Sequence, residues 1–457
     1  MRAADDAVPA SVPLAGWGRT NPARSVVVAA RSVAEVRTEV LASGGRGLVA
    51  RGLGRAYGDA AQNAGGVVLT LPGLRVIGEI DPTTGQVDVD AGVALDDLIR
   101  RALPLGWFVP VTPGTRYVTV GGAVASDIHG KNHHVDGSFC AHVDALDLLT
   151  ADGQVRTVGP DRDPELFWAT AGGMGLTGVV LRVRLRLLPV ATSRLMVETD
   201  RVADLDQLMA RMADDERYRY SVAWVDSLAR GRALGRSVLT RGDHAAVTDL
   251  PADERGEPLR YRARALFAAP RWVPPGLLNR ASVAVFNEAW FRRAPHHRID
   301  LESIPAFFHP LDGVKDWNRI YGTAGFVQYQ YAVPDAAAEV VRTSLDLLAA
   351  QRAPSFLTVL KRFGMANPGP LSFPHPGWTL AVDLPAGLPG LPELCTRLDD
   401  LVLAAGGRVY LSKDSRLPAA HLPLMYPRLA EWRAVCNRVD PAGVFNSDLA
   451  RRLRLRG

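Results

Sequence analysis

Two glycine-bearing stretches carry the first hint of chemistry. "RGLGRAYGD" (51–59) places glycine at 52, 54 and 58. A dinucleotide fingerprint would need its third glycine at 57 and an amphipathic helix immediately after. Tyr57 stands there and "DAAQNAGG" follows, so a helix N-terminus is not what these glycines serve. Glycines also let backbone N–H groups approach an anion closely, as a nest for phosphate oxygens. A second place of this kind is "PGTRYVTVGGAVASDIHGKNHH" (113–134), where Gly114, Gly121 and Gly122 sit among small residues. One such segment alone reads as an ordinary surface loop. Two, each closing a β-rich segment, predict a pyrophosphate-binding cradle. His129, His133 and His134 also invite a metal reading, but no acid or cysteine completes a ligand set, and no metal is predicted.

The elements that must position these loops follow from periodicity. "SVVVAA" (25–30) reads as a buried strand, and Ser32 with Glu35 forms a capping-box signature ahead of a helix carrying Val36, Val40 and Leu41. Gly44 and Gly45 end that helix, and "GLVARG" (47–52) is the next strand, which delivers the first glycine loop. "GGVVLTL", "RVIGEID" and "GQVDVDAGV" predict short strands, and Leu95, Leu98, Ile99 and Leu103 a helix. A hairpin is expected at Asp152-Gly153 within 145–158. "GVVLRVRLRLLPV" (178–190) alternates apolar and basic residues, which predicts one buried and one wet face. A boundary falls at 193/194. From 194 to 405 helices and strands alternate in an α+β pattern with a mainly antiparallel sheet, and 406–457 is expected to fold back on 1–193.

At 457 residues the chain exceeds what one core serves, so two domains are expected. A net charge of +5 excludes no partner, but without a concentrated basic face it does not point to nucleic acid. It suits a phosphorylated substrate or an anionic membrane surface. Cys140, Cys395 and Cys436 read as buried thiols. No apolar run reaches the ~18–20 residues of a membrane span, and the acidic, proline-bearing N-terminus does not read as a Sec signal. In 260–293 seven arginines face one acid, Glu288, among Leu, Phe and Trp. This is either a solvated loop or a mobile basic-amphipathic lid meeting an anionic membrane peripherally.

"RGLGRAYGD", "PGTRYVTVGGAVASDIHGKNHH" and "ELFWATAGGMGLTGVV" resemble the PCMH-type FAD domain of the vanillyl-alcohol-oxidase superfamily. "DIHGKNHH", "FHPLDGVKDWNRIYGTAGFVQYQY", "KDSR" and "VDPAGVFNSDLARRL" are similar, more closely, to the branch that oxidises lipid-linked ribose. The resemblance implies a two-domain α+β flavoprotein: an FAD-binding domain (1–193), a substrate-binding domain (194–405) with an antiparallel sheet, and a returning segment (406–457). It implies oxidation of the 2′-hydroxyl of decaprenylphosphoryl-β-D-ribose to the ketone by hydride transfer to flavin N5. That is the first step of an epimerisation supplying arabinose for cell-wall arabinan, and an NAD(P)H-dependent keto-reductase partner would complete it. An alditol or aldonolactone oxidase and a non-catalytic prenyl-phosphate-binding flavoprotein remain the alternatives.

Carried over by position, FAD contacts would come from Arg51, Gly52, Leu53, Gly54 and Arg55, and from Ala56, Tyr57, Gly58, Asp59 and Ala60. Further contacts would be Gly114, Thr119, Val120, Gly121, Gly122, Ser126, Asp127, Ile128, His129, Val180 and Tyr410. Covalent relatives bond the flavin through a histidine where Arg55 stands, so the FAD is expected to be non-covalent. Lys413 is the implied residue at the reacting hydroxyl, with His129 and Tyr57 beside it; a solvated Lys413 paired with Asp414 is the plain alternative. Tyr321, Gln328, Gln330 and Lys361 would face the sugar and its phosphate, Lys361 as a point charge. The related enzymes carry asparagine at Thr379 and, at Ala381, the cysteine that nitroaromatic inhibitors capture.

Overall fold

Strand pairing in the computed structural model, which describes residues 11–274 and 276–457, separates the chain's two β-rich halves. Ser11–Leu14 (β1), Ala23–Ala29 (β2), Leu48–Arg51 (β3) and Val67–Thr70 (β4) form one sheet in the order β1-β2-β4-β3. β2, β4 and β3 run parallel because Val33–Ala42 (α1) crosses over between β2 and β3. Ser32 accepts from the Glu35 N–H at 3.2 Å, as predicted. The Glu35 carboxylate reaches one residue further back, to the Arg31 N–H at 2.7 Å.

The chain continues through Gln86–Asp90 (β5), Leu95–Ala102 (α2), Trp107–Phe108 (β6), Val120–Ala125 (α3), His133–Asp136 (α4), Val143–Leu149 (β7) and Val155–Val158 (β8). Pro164–Thr170 (α5), Val179–Arg186 (β9) and Leu188–Pro189 (β10) follow. A second sheet has the order β5-β9-β7-β8, all antiparallel. β9 behaves as its alternation predicts: Leu181, Val183 and Leu185 are buried, while Arg182, Arg184 and Arg186 pair outside with Asp90, Asp88 and Asp144. The β7–β8 hairpin turns through Asp152 and Gly153, but over a longer loop held by Asp152, which accepts from Thr150 Oγ1 at 2.6 Å. "RVIGEID" gives no named strand, only an isolated bridge between Ile77 and Val89.

The second half runs Arg194–Val202 (β11), Leu205–Ala213 (α6), Tyr220–Val225 (β12), Ser237–His244 (β13), Phe267–Ala268 (β14), Arg280–Arg293 (α7) and His297–Ser303 (β15). Then come Ile304–Phe308 (α8), Val314–Lys315 (β16), Phe326–Val333 (β17), Glu339–Ala350 (α9), Thr358–Phe363 (β18), Gly377–Pro385 (β19), Leu391–Ala404 (α10) and Arg408–Val409 (β20). Leu422–Met425 (α11), Leu429–Val439 (α12) and Asp448–Arg452 (α13) close the chain. Eight strands form one sheet in the order β15-β11-β13-β12-β18-β19-β17-β20, and every neighbouring pair is antiparallel.

The period of two decides what each face of this sheet does. Tyr329, Tyr331 and Val333 of β17 pack into one core with Leu345 and Leu348 of α9 and Leu394 and Leu398 of α10. Gln328 and Gln330, between them, point to the opposite face. The final segment touches both halves. β20 pairs with β17, whereas Leu48 donates to Val444 and Asn446 donates back to Leu48, so that Phe445 packs among residues of α1, β3 and β4. Among the described residues no helix is long and apolar enough to cross a membrane.

Candidate active site

Between the glycine loops and the polar face of the large sheet lies a cavity of about 970 Å³, at the upper end for a small-molecule site. The chain leaves β3 without forming a helix, and Gly54 turns with φ +65°. Leu53, Gly54, Arg55 and Ala56 all line the cavity, and their N–H groups find no acceptor among the described residues. The Arg51 guanidinium, held by the carbonyls of Ala61 and Ala15 at 2.8 Å each, straps this loop. The two loops meet where Gly52 lies against the Thr119 side chain; a Cβ there would collide with it. Thr119 in turn caps α3, accepting from the Gly122 N–H at 3.2 Å. A row of free backbone donors beside close-packed glycines is what an anionic pyrophosphate requires, so the residues present fit FAD.

The substrate-side wall comes from the large sheet. Cross-strand register sets Gln328 opposite Asp383, Gln330 opposite Ala381, Ala381 opposite Val359, and Thr379 opposite Lys361. His129, brought over from the loop after α3, sits between Lys361 Nζ, 3.0 Å from Nδ1, and Gln330 Nε2, 3.0 Å from Nε2. Burial, with Lys361 next in effect, pushes the His129 pKa well down, so the ring is neutral. Lys361 itself is lowered to about 7, by burial first and then by Lys413 and Lys131. When the Lys361 amine is neutral, Gln330 donates to Nε2 and the ring proton on Nδ1 goes to that amine; when it is charged, the ammonium donates to Nδ1 and Nε2–H turns to the Gln330 amide oxygen. Gln330 also donates to Thr379 Oγ1 at 3.2 Å, and Thr379 donates onward to the Tyr331 carbonyl at 2.8 Å.

Lys413 lies on the opposite side, its Nζ 3.7 Å from the centroid of the Tyr57 ring. It has no ion pair with Asp414, which serves Arg452 at 2.9 Å and the N–H groups of Arg416 and Leu417. Burial lowers the Lys413 pKa, and the charge of Asp383 opposes that shift. Asp383 is fully buried, accepts from Gln328 Nε2 and from the Tyr321 hydroxyl, and is itself raised by burial. The Tyr57 hydroxyl is also raised, by burial first, and stays a neutral donor. Trp17 completes this end with its ring 4.0 Å from the Arg55 guanidinium carbon.

Most expected site residues line the cavity, but five do not. Gly58 is wedged against the Asp414 carbonyl and Asp59 pairs with Arg452 at 2.8 Å. Val120 is core. Asp127, in the left-handed region at φ +40°, accepts from the Cys140 N–H at 3.0 Å and Ser138 Oγ at 2.9 Å. Tyr321 stacks on Phe326 at 4.1 Å and aims its hydroxyl at Asp383. These residues hold the walls and do not form them. Conversely, Asp383, Trp17 and Lys131 were not singled out from sequence. Lys131 lies 4.0 Å from the Phe307 ring centroid and is lowered to about 8 by burial. Its position within "DIHGKNHH" was the available signal. The second half of 260–293 is also not a loop: α7 is capped by Asn279 and anchored by buried Asn287, which donates to Asp226 at 2.7 Å.

The FAD binding domain family matches residues 24–159. The decaprenylphosphoryl-β-D-ribose oxidase of Mycolicibacterium smegmatis is 46% identical over 450 residues, covering 97% of each chain. The alditol oxidase of a Streptomyces species is 27% identical, covering 95% of this chain and 98% of its own. The L-gulono-1,4-lactone dehydrogenase of Mycobacterium tuberculosis is 24% identical, covering 94% and 96%. With its two glycine loops, its lysine-lined cavity and near-complete overlap at 46% identity, the chain belongs to the decaprenylphosphoryl-β-D-ribose oxidase family of FAD-dependent oxidoreductases.

Proposed function

We propose that this protein oxidises the 2′-hydroxyl of a polyprenylphosphoryl ribose to the ketone, with non-covalently held FAD. The observation that carries the reading is the convergence of Lys131, Lys361 and Lys413 on one cavity with the nest of the first glycine loop. FAD, when bound, supplies the two-electron acceptor for the carbinol C–H bond. Lys413 takes the hydroxyl proton: its lowered pKa leaves a reactive share of neutral amine near pH 7, which an exposed lysine lacks. Tyr57 lies under that amine and fixes its position. Lys361 and Lys131 receive the phosphate, and Gln328 and Gln330 offer amides to the sugar hydroxyls. This reading treats 1–193 as the FAD-binding part, 194–405 as the substrate part, and 406–457 as the segment that brings Lys413 to the cavity. Substrate deuterated at C2′ tests it: flavin reduction should slow severalfold, and an unchanged rate with persistent ribose would contradict it.

A peripheral membrane role is part of the proposal. Leu266, Phe267, Trp272 and Leu277 are at least half exposed, with Arg264, Arg271 and Arg280 in the same segment. Such a surface suits anionic lipid. Replacing the four apolar residues by serine should abolish co-sedimentation with anionic liposomes; retained binding would remove the membrane role. The ketone would pass to an NAD(P)H-dependent reductase.

A further inference from the structure

The geometry points to a prenyl-chain groove that runs from the lysines across the large sheet and beneath α7; this rests on the polyprenyl-phosphate reading above. From β17 toward β13, the amide and charged side chains of the cavity floor end at β18. Gln328 and Gln330 on β17 give way to Ala381 on β19, then to Lys361 and Val359 on β18. Val359 faces Trp224 on β12, and Trp224 and Val222 face Val238 and Thr240 on β13. From β18 to β13 is two inter-strand spacings, about 10 Å of nearly unbroken apolar surface. The one polar atom of Trp224 is satisfied, since Nε1 donates to the Phe356 carbonyl at 2.8 Å.

The roof over this strip is α7. Val283 and Asn287 face inward, and Phe286 and Trp290, one turn apart, stack at 6.0 Å. Both line the same cavity, yet they remain 41% and 45% exposed. Open aromatic walls continuous with a cationic pocket fit an amphiphile with an anion at one end and hydrocarbon at the other. The occupant is the α-end of the prenyl chain, with its phosphate at Lys361 and Lys131.

Equilibrium dialysis of the FAD-loaded protein with labelled farnesyl phosphate and isopentenyl phosphate tests this without turnover. The farnesyl ester should bind about tenfold tighter or better, the gain from burying as few as two methylenes. Val238→Trp, which fills the floor, and Trp290→Ser, which opens the roof, should each cut that ratio below about threefold, with retained flavin absorbance showing a folded protein. A wild-type ratio near one, or the full ratio in both variants, would overturn the groove. If chain-length preference holds but no prenylphosphoryl ribose bleaches the flavin, the oxidase reading falls and the groove stands.

Discussion

Lys361 makes substrate affinity depend on pH in a way that can be worked out. Its amine ordinarily titrates near 10.5 and here is lowered to about 7, by burial and then by Lys413 and Lys131. It is charged below that value and neutral above it. Its nearest partner, His129, is neutral throughout and cannot compensate. A phosphodiester ligand carries one fixed negative charge over this range, so any pH dependence belongs to the protein. Between pH 6 and pH 9 the charged fraction of an amine titrating at 7 falls about 100-fold, or about 2.7 kcal/mol of attraction that must be recovered by taking up a proton. Farnesylphosphoryl 2-deoxyribose, which lacks the reacting hydroxyl, allows binding to be followed by calorimetry without oxidation. Affinity should be level below about pH 7 and fall above it, with proton uptake visible when buffers of different ionisation heat are compared. Lys361→Met should lose affinity mainly at low pH, and Lys361→Arg should retain it at high pH because guanidinium does not titrate there. Each variant should lack one proton of slope relative to wild type. Identical slopes in all three proteins would refute the reasoning.

Lys413→Met should keep FAD and lower the rate of flavin reduction by about 10²–10⁴-fold, the usual worth of a general base; near-normal turnover removes Lys413 from the chemistry. Asp383→Asn keeps an acceptor for Gln328 but deletes the charge that opposes the lowering of Lys413. The pH profile of flavin reduction should therefore move to lower pH, and an unmoved profile means the carboxylate does not act on Lys413. Ala381→Cys would place a thiol on the cavity floor between Gln330 and Val359. Intact mass should show a nitroaromatic adduct in that variant and none in the wild type, and an adduct on wild-type β19 would contradict this. Arg55 stands where covalent relatives have histidine, so acid precipitation should leave the flavin in the supernatant; a yellow pellet would disprove non-covalent binding.

What was legible in the sequence follows from how local its causes are. The alternation of β9 and the strand-to-loop passage at Arg51 depend on neighbours in the chain, and both appear in the structure. "RVIGEID" reads as a strand, and Val76, Gly78 and Asp81 do share backbone hydrogen bonds with β5, but the pairing is interrupted and amounts to one bridge at Ile77. Asp383 in "WTLAVDLP" was invisible because its meaning comes from Gln328, which register places opposite it from 55 residues away. Tyr321 is expected from sequence to face the sugar, whereas its ring stacks on Phe326 and its hydroxyl turns to Asp383. The helix α7 was readable in principle, since Asn279 is a good cap and Val283, Phe286 and Trp290 share one face. The arginines around it drew the reading toward a loop.

The central claim, that this cavity oxidises the 2′-carbinol of a lipid-linked ribose, is tested most directly by anaerobic titration of the bound flavin. Prenylphosphoryl ribose should bleach it in proportion to added substrate and yield the 2′-ketone, while the 2-deoxy analogue and free sugar alcohols leave it oxidised. Bleaching by a free sugar alcohol and none by the lipid-linked ribose would contradict the account.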